Sequence, residues 1–204
     1  MSLSELLREG TADVHRNAER SAFVLRFVEG RLDRLVFSRH LRALHDVYEA
    51  LEGALDRRRD DPRLAAFHLP ALWRRAAIET DLAFFRGPGW RAEPPVPAAA
   101  EYAAHLRGID ATQPIRLVSH AYVRYLGDLS GGQILKKLAA RQLGLDGHGL
   151  AFYEFPEIAD ATAFKADFRH RLDALALADG EGDALLAEAR TAFTLNAAIF
   201  EQLV

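Results

Sequence analysis

DRLVFSRHLRALHDVYEALEGALDRR, residues Asp33 to Arg58, decides the fold class. Phe37, Leu41, Leu44, Tyr48, Leu51 and Leu55 recur in it at spacings of 4, 3, 4, 3 and 4. That is the period of one face of an α-helix, so the segment is predicted to be an amphipathic helix packed on others along its length. Asp60, Asp61 and Pro62 interrupt it. Upstream, Ser2 and Glu5 form a capping box ahead of Leu3, Leu6, Leu7, Val14 and Ala18, which predicts a first helix reaching about Glu19. Downstream, a helix is expected from about Pro70 to Phe85, ending before Arg86-Gly87-Pro88-Gly89. After Thr112 and Pro114, read as N-cap and early-helix residues, Ile115, Val118, Tyr122, Tyr125 or Leu126, and Leu129 carry the period on through Gly127, Gly131 and Gly132. A glycine-rich loop from Gly144 to Gly149 leads past Pro156 to a helix bearing Phe164, Phe168, Leu172 and Leu175. A last helix bears Leu186, Phe193, Asn196, Phe200 and Leu203. No stretch alternates with period 2 and nothing repeats at a fixed spacing, so the fold class is all-α.

Composition narrows the chemistry further. With 26 basic and 29 acidic residues spread along 204 positions, the chain has no basic stripe of the kind a phosphate backbone requires, and nucleic acid is not expected as a partner. The one proline-rich patch, Glu93 to Pro97, is short enough to be a loop, so residues 1–204 are expected to form one domain. Cysteine is absent and the single methionine is Met1. Disulfides, thiolate nucleophiles and iron–sulfur clusters are thereby excluded, and any bound iron must take its axial ligand from His, Tyr, a carboxylate or water. No apolar run approaches a membrane span and the N-terminus lacks a signal-peptide pattern, which leads us to expect a cytoplasmic chain without a membrane anchor.

Three local features stand out against this background. Gly127, Gly131 and Gly132 within six residues would cost a helix about 3 kcal/mol relative to alanine, so something must offset them. Either a tight helix crossing or kink requires them, or a flat ligand lies against the bare backbone, because Gly127 and Gly131 share a face. Asp128 sits between these glycines, flanked by Leu126 and Leu129. It is either the ion-pair partner of Arg124 at i−4 or a carboxylate that orders water at a reacting centre. His15 has Glu19 at i+4, so a carboxylate can hold one ring nitrogen while the other faces a metal; a polar surface histidine is the plainer alternative. His40, His45, His68, His105, His120, His148 and His170 form no i, i+4 ligand pair, so no multi-histidine metal site is legible. Lys165 and Arg169, at i and i+4, are either a solvated face or donors for carboxylates. Asn196, on an apolar stripe, is expected to make a core hydrogen bond.

The decapeptide from Arg124 to Gln133, RYLGDLSGGQ, resembles the distal-helix signature of haem oxygenases. The likeness continues through Asp13-Val14-His15 with Ala18-Glu19, Asp81-Leu82-Ala83-Phe84, Ser119-His120-Ala121-Tyr122, Leu150-Ala151-Phe152-Tyr153 and Ala192 to Asn196. It covers nearly the whole chain and agrees in order and spacing with the soluble, animal-like branch; the segment from Gly87 to Thr112 is the least distinctive. The resemblance implies a single helical domain that holds haem between a proximal N-terminal helix and a kinked, glycine-rich distal helix. It implies His15 as the haem iron ligand, Gly127 and Gly131 against the other haem face, and Asp128 as the holder of a distal water network. It also implies Arg8, Tyr122, Lys165 and Arg169 near the propionates, with Arg8 standing where many relatives carry lysine.

The implied activity is oxidative opening of haem b at the α-meso carbon, giving biliverdin IXα, carbon monoxide and ferrous iron. Haem is then both substrate and cofactor, and an external reductant is required. The implied partner is an electron-donor protein, a reductase or one of ferredoxin or flavodoxin type, serving a monomer. The alternatives from other classes are a haem carrier or sensor of the same fold without turnover, and a purely structural helical bundle in which His15 is incidental.

Overall fold

A computed structural model describes all residues from Met1 to Val204, and every regular element in it is helical. Ten α-helices are present: α1 (Leu3–Gly10), α2 (Ala12–Glu19), α3 (Ala22–Val28), α4 (Arg34–Arg57), α5 (Arg75–Arg86), α6 (Pro97–Thr112), α7 (Leu117–Asp128), α8 (Gly131–Leu143), α9 (Ala161–Asp173) and α10 (Glu181–Glu201). None is long and apolar enough to cross a membrane.

The Asp33–Arg58 segment forms α4 as its spacing requires, with Asp33 accepting a hydrogen bond from the Val36 N–H as the N-cap. Sixteen of its 24 residues are buried, which makes it the central helix, and α5, α6 and α7 pack around it. The opposite wall is α10, packed on α1, α6 and α7. Forty-seven buried apolar residues form one contiguous core between these layers.

Four boundaries differ from the periodicity reading. The predicted first helix is two helices, because Thr11 breaks it: its hydroxyl turns back to the Leu7 carbonyl at 2.7 Å, and its backbone sits at φ −110°, ψ 0°. The adjacent Gly10 lets α1 lie against α10, since a Cβ there would meet Leu186 Cδ1 at 2.5 Å. The segment after Pro70 opens with one 3₁₀ turn, Pro70–Leu72, and the helix proper begins at Arg75, where the Glu52 carboxylate accepts the Arg74 and Arg75 N–H groups. Between Gly87 and Thr112, where no helix was expected, α6 runs from Pro97, and Thr112 closes it instead of capping the next. Further on, the long pattern through the glycines is divided at Leu129 and Ser130, Ser130 having φ −115° and ψ −88°, so that α7 and α8 meet at a bend.

Candidate active site

The bend between α7 and α8 faces α1, α2 and α3 across a cavity of about 670 Å³, within the range usual for cofactor sites. Arg8, Thr11, Ala12 and His15 line one wall; Leu126, Gly127, Asp128, Ser130 and Gly131 line the other; His40, Phe152, Tyr153, Phe193, Asn196 and Phe200 close the interior end. The Phe152–Tyr153 turn is fixed by Asp81 of α5, which is fully buried and accepts the Ala151 and Phe152 N–H groups at 2.9 and 2.8 Å.

On the first wall, His15 is half exposed into this space, with its ring set edge-on to Phe193 at a centroid distance of 5.9 Å. Glu19 Oε1 lies 3.7 Å from its Nδ1, which leaves Nε2 as the nitrogen free to ligate. Helix α2 itself buries no residue; Arg190 of α10 holds it by a two-pronged pair with Asp13, at 2.7 and 2.8 Å, and by a bond to the Gly10 carbonyl.

On the second wall, a Cβ added at Gly127 or Gly131 would meet no protein atom within 4 Å. A tight helix crossing therefore does not explain these two glycines, and their bare backbone borders open space. Gly132 differs, facing Tyr153 Cδ1 at 3.4 Å. Asp128 is buried beside them, paired with Arg124 as its i−4 spacing allows, and it also borders the cavity. Arg124 Nη2 stands 3.8 Å from Oδ1, the Tyr48 hydroxyl donates to Oδ2, and the residue still borders the cavity. Burial pushes its carboxyl above the ordinary range, against the opposing pull of the Arg124 charge and the Tyr48 hydrogen bond. Arg124 in turn donates from Nε to the Tyr48 oxygen at 3.2 Å and from Nη1 to Asn196 Oδ1 at 2.6 Å, the core hydrogen bond expected of Asn196.

At the mouth, Tyr122 is half-buried, and the charges of Arg169 and Arg8 oppose the upward push of burial on its hydroxyl. Arg8 and Arg169 both line the cavity and also share a smaller depression of about 350 Å³ with Ser4 and Glu5. Lys165 does not line the cavity; it reaches the rim by donating to the Ser130 hydroxyl at 3.0 Å. The sequence reading thus brings together His15, Arg8, Tyr122, Gly127, Asp128, Gly131 and Arg169, with Lys165 one residue removed. It missed Tyr48, read only as one apolar position of a stripe, although a buried phenol needs a hydrogen-bond partner. It also missed His40, whose buried Nδ1 has no partner and whose pKa burial pushes down to about 3.

Comparison with known proteins agrees with this geometry. The heme oxygenase family model matches residues 1–202. Heme oxygenase 1 of Homo sapiens is 44% identical over 205 residues, covering 98% of this chain and 71% of that protein. Heme oxygenase 1 of a Nostoc species is 39% identical, covering 99% and 86%. Among solved structures, heme oxygenase from Leptospira interrogans superposes with a TM-score of 0.94 at 46% identity, covering 99% of this chain and all of that one. Heme oxygenase-1 of Synechocystis, solved in complex with heme, gives 0.96 at 38% identity, covering 100% and 92%. The match of the family model and of these relatives along essentially the whole length shows that the chain belongs to the heme oxygenase family.

Proposed function

We infer that this protein binds haem b in the cavity between α2 and the α7–α8 bend and opens the ring at the α-meso carbon. The products are biliverdin IXα, carbon monoxide and ferrous iron, and a separate electron-donor protein supplies the reducing equivalents. The observation that carries this reading is the open space over Gly127 and Gly131. Two glycines that no protein contact requires present a flat backbone surface, opposite a histidine with a free Nε2 and beside a buried carboxylate. A flat apolar disc bearing iron and two carboxylates fits that set of groups.

When bound, haem supplies both the ring that is opened and the iron that activates oxygen. His15 Nε2 would hold the iron, with Glu19 at Nδ1 setting the orientation of the ring. Arg8 and Arg169 supply cationic donors for the propionates, and Lys165 joins them by releasing or sharing Ser130. Holding the propionates at one edge would set the rotation of the bound group in its slot, and so which meso carbon is opened. Asp128 commits Oδ2 to the Tyr48 proton, which leaves Oδ1 to accept from a water in the cavity and to orient that water's other proton towards the reacting face. A haem carrier has no use for a buried, cavity-facing carboxylate that folding must desolvate, so the oxygenase reading is favoured over storage or sensing.

The test is to supply haemin, reductant and air to the protein and to its Asp128→Ala variant, following the spectrum and identifying the bilin by chromatography. The unmodified protein should yield the α isomer. Asp128→Ala should retain haem binding and lose bilin formation by at least about a hundredfold, the usual scale of a positioned proton-transfer group. Normal turnover by the variant would remove Asp128 from this role, and absence of any bilin from the unmodified protein would return the reading to a carrier.

A further inference from the structure

Outside the haem cavity, three side chains from three helices converge: His105 of α6, His120 of α7 and Glu188 of α10. None of them lines the cavity. Glu188 Oε1 lies 2.5 Å from His105 Nε2 and 2.8 Å from His120 Nε2, with the imidazole centroids 5.5 Å apart. His120 and Glu188 are buried, whereas the His105 side chain is 32% exposed, so the cluster has one edge open to solvent. Two outer contacts fix its orientation. The Tyr102 hydroxyl is 2.9 Å from His120 Nδ1, and Arg116 Nη1 holds the other carboxylate oxygen, Oε2, at 3.3 Å.

As a purely hydrogen-bonded set, both imidazoles keep their proton on Nε2 and donate to one shared oxygen. Moving each proton to Nδ1 turns both Nε2 lone pairs and Oε1 towards a common point, and His120 then donates to the Tyr102 oxygen. A hydrogen bond from the far ring nitrogen of this kind orients a metal-ligating histidine. Two imidazoles and one carboxylate form a donor set that suits zinc and ferrous iron and leaves further positions for water. Around a tetrahedral metal with bonds of about 2.0–2.1 Å, the ligand atoms must spread by about 0.5–0.9 Å, which the partly exposed His105 can supply. We propose that His105, His120 and Glu188 form a binding site for a divalent first-row transition metal, open to water at the His105 edge. Such a metal ties α6 and α10 to α7, the helix that carries Gly127 and Asp128. The other candidate group, His45 with Asp46 and Glu49, fits less well, because Arg42 and Glu79 already engage Asp46 and the His45 ring.

The proposal does not depend on haem, and its test uses the full chain before haem is added so that haem absorption does not mask the signal. Titration with Co²⁺ should give saturable visible d–d absorption at one equivalent, displaced by Zn²⁺, and the melting temperature should rise with it. His105→Ala should abolish the absorption while keeping the helical circular dichroism of the parent. Tyr102→Phe should weaken binding about tenfold, the low end of the usual cost of losing the hydrogen-bond partner of a ligating histidine. His45→Ala should bind as the parent does. No d–d absorption in the unmodified chain, or the same absorption in His105→Ala, would overturn the assignment.

Discussion

Gly127 separates a structural from a functional reason for a glycine within a single residue. It lies in the last turn of α7, where alanine is the better helix former by about 0.5–1 kcal/mol, and an added methyl would touch nothing. Gly127→Ala should therefore raise the stability of the haem-free protein by up to about 1 kcal/mol, while Gly127→Leu, filling the slot, should weaken haem binding at least tenfold. Thermal melts and haemin titration of both variants check this; a destabilised Gly127→Ala would show that the backbone, not the ligand, requires glycine. Across the cavity, His15→Ala should still take up haem but lose the axial imidazole signature, and added imidazole should restore it. An unchanged ferric spectrum in His15→Ala would assign the ligand elsewhere. Gly127 and Asp128 were legible in the sequence because each breaks a rule of helix energetics in plain view. Tyr48 breaks none until its hydroxyl is seen to donate to Asp128, a contact between residues 80 positions apart.

At the scale of elements, what was legible follows the strength of the periodic signal. Helix α4 is buried along one face over its whole length, and its spacing showed it to within a residue at each end. Helix α6 escaped because Ala98, Ala99 and Ala103 bury small faces with little contrast to their neighbours, although Pro97 at its first position is a start signal. The start of α5 was hidden for another reason: its cap comes from a different helix. Glu52 of α4 is buried and accepts the Arg74 and Arg75 N–H groups, and burial pushes its carboxyl up to about 7 despite those bonds and the two arginine charges. The folded state thus holds this proton more tightly than the unfolded chain. The associated stability, roughly 3 kcal/mol for a shift of this size, is fully present below about pH 4.5 and is lost as pH rises through about 7. Glu52→Gln keeps one cap acceptor and cannot ionise, so its urea midpoint should change less between pH 5 and pH 8 than that of the parent. Equal slopes would show that Glu52 does not titrate in this window.

At the scale of the molecule, the two walls of the cavity are unequally built. The α7–α8 wall belongs to the continuous core: α7 buries nine of its twelve residues and packs on α4 and α10. The α2 wall has eight residues and buries none of them. A helix that short is not stable alone in water, and what holds it here is its continuity with α1 and α3 and its packing on α10, where Phe193 meets the His15 ring and Arg190 binds Asp13 and the Gly10 carbonyl. In the proposed complex, His15 holding the iron and the ring covering this helix would add to the few contacts α2 has, so ligand binding and the order of this wall would be linked. Amide hydrogen exchange should therefore be fast across Ala12–Glu19 in the haem-free protein and slow by at least tenfold on haem binding, while α4 and α7 change little. Arg190→Ala, which removes the anchor without touching the cavity lining, should widen that difference and lower haem affinity. If α2 is already as protected as α4 without haem, the proximal wall is preformed, and the linkage between ligand and fold lies elsewhere in the molecule.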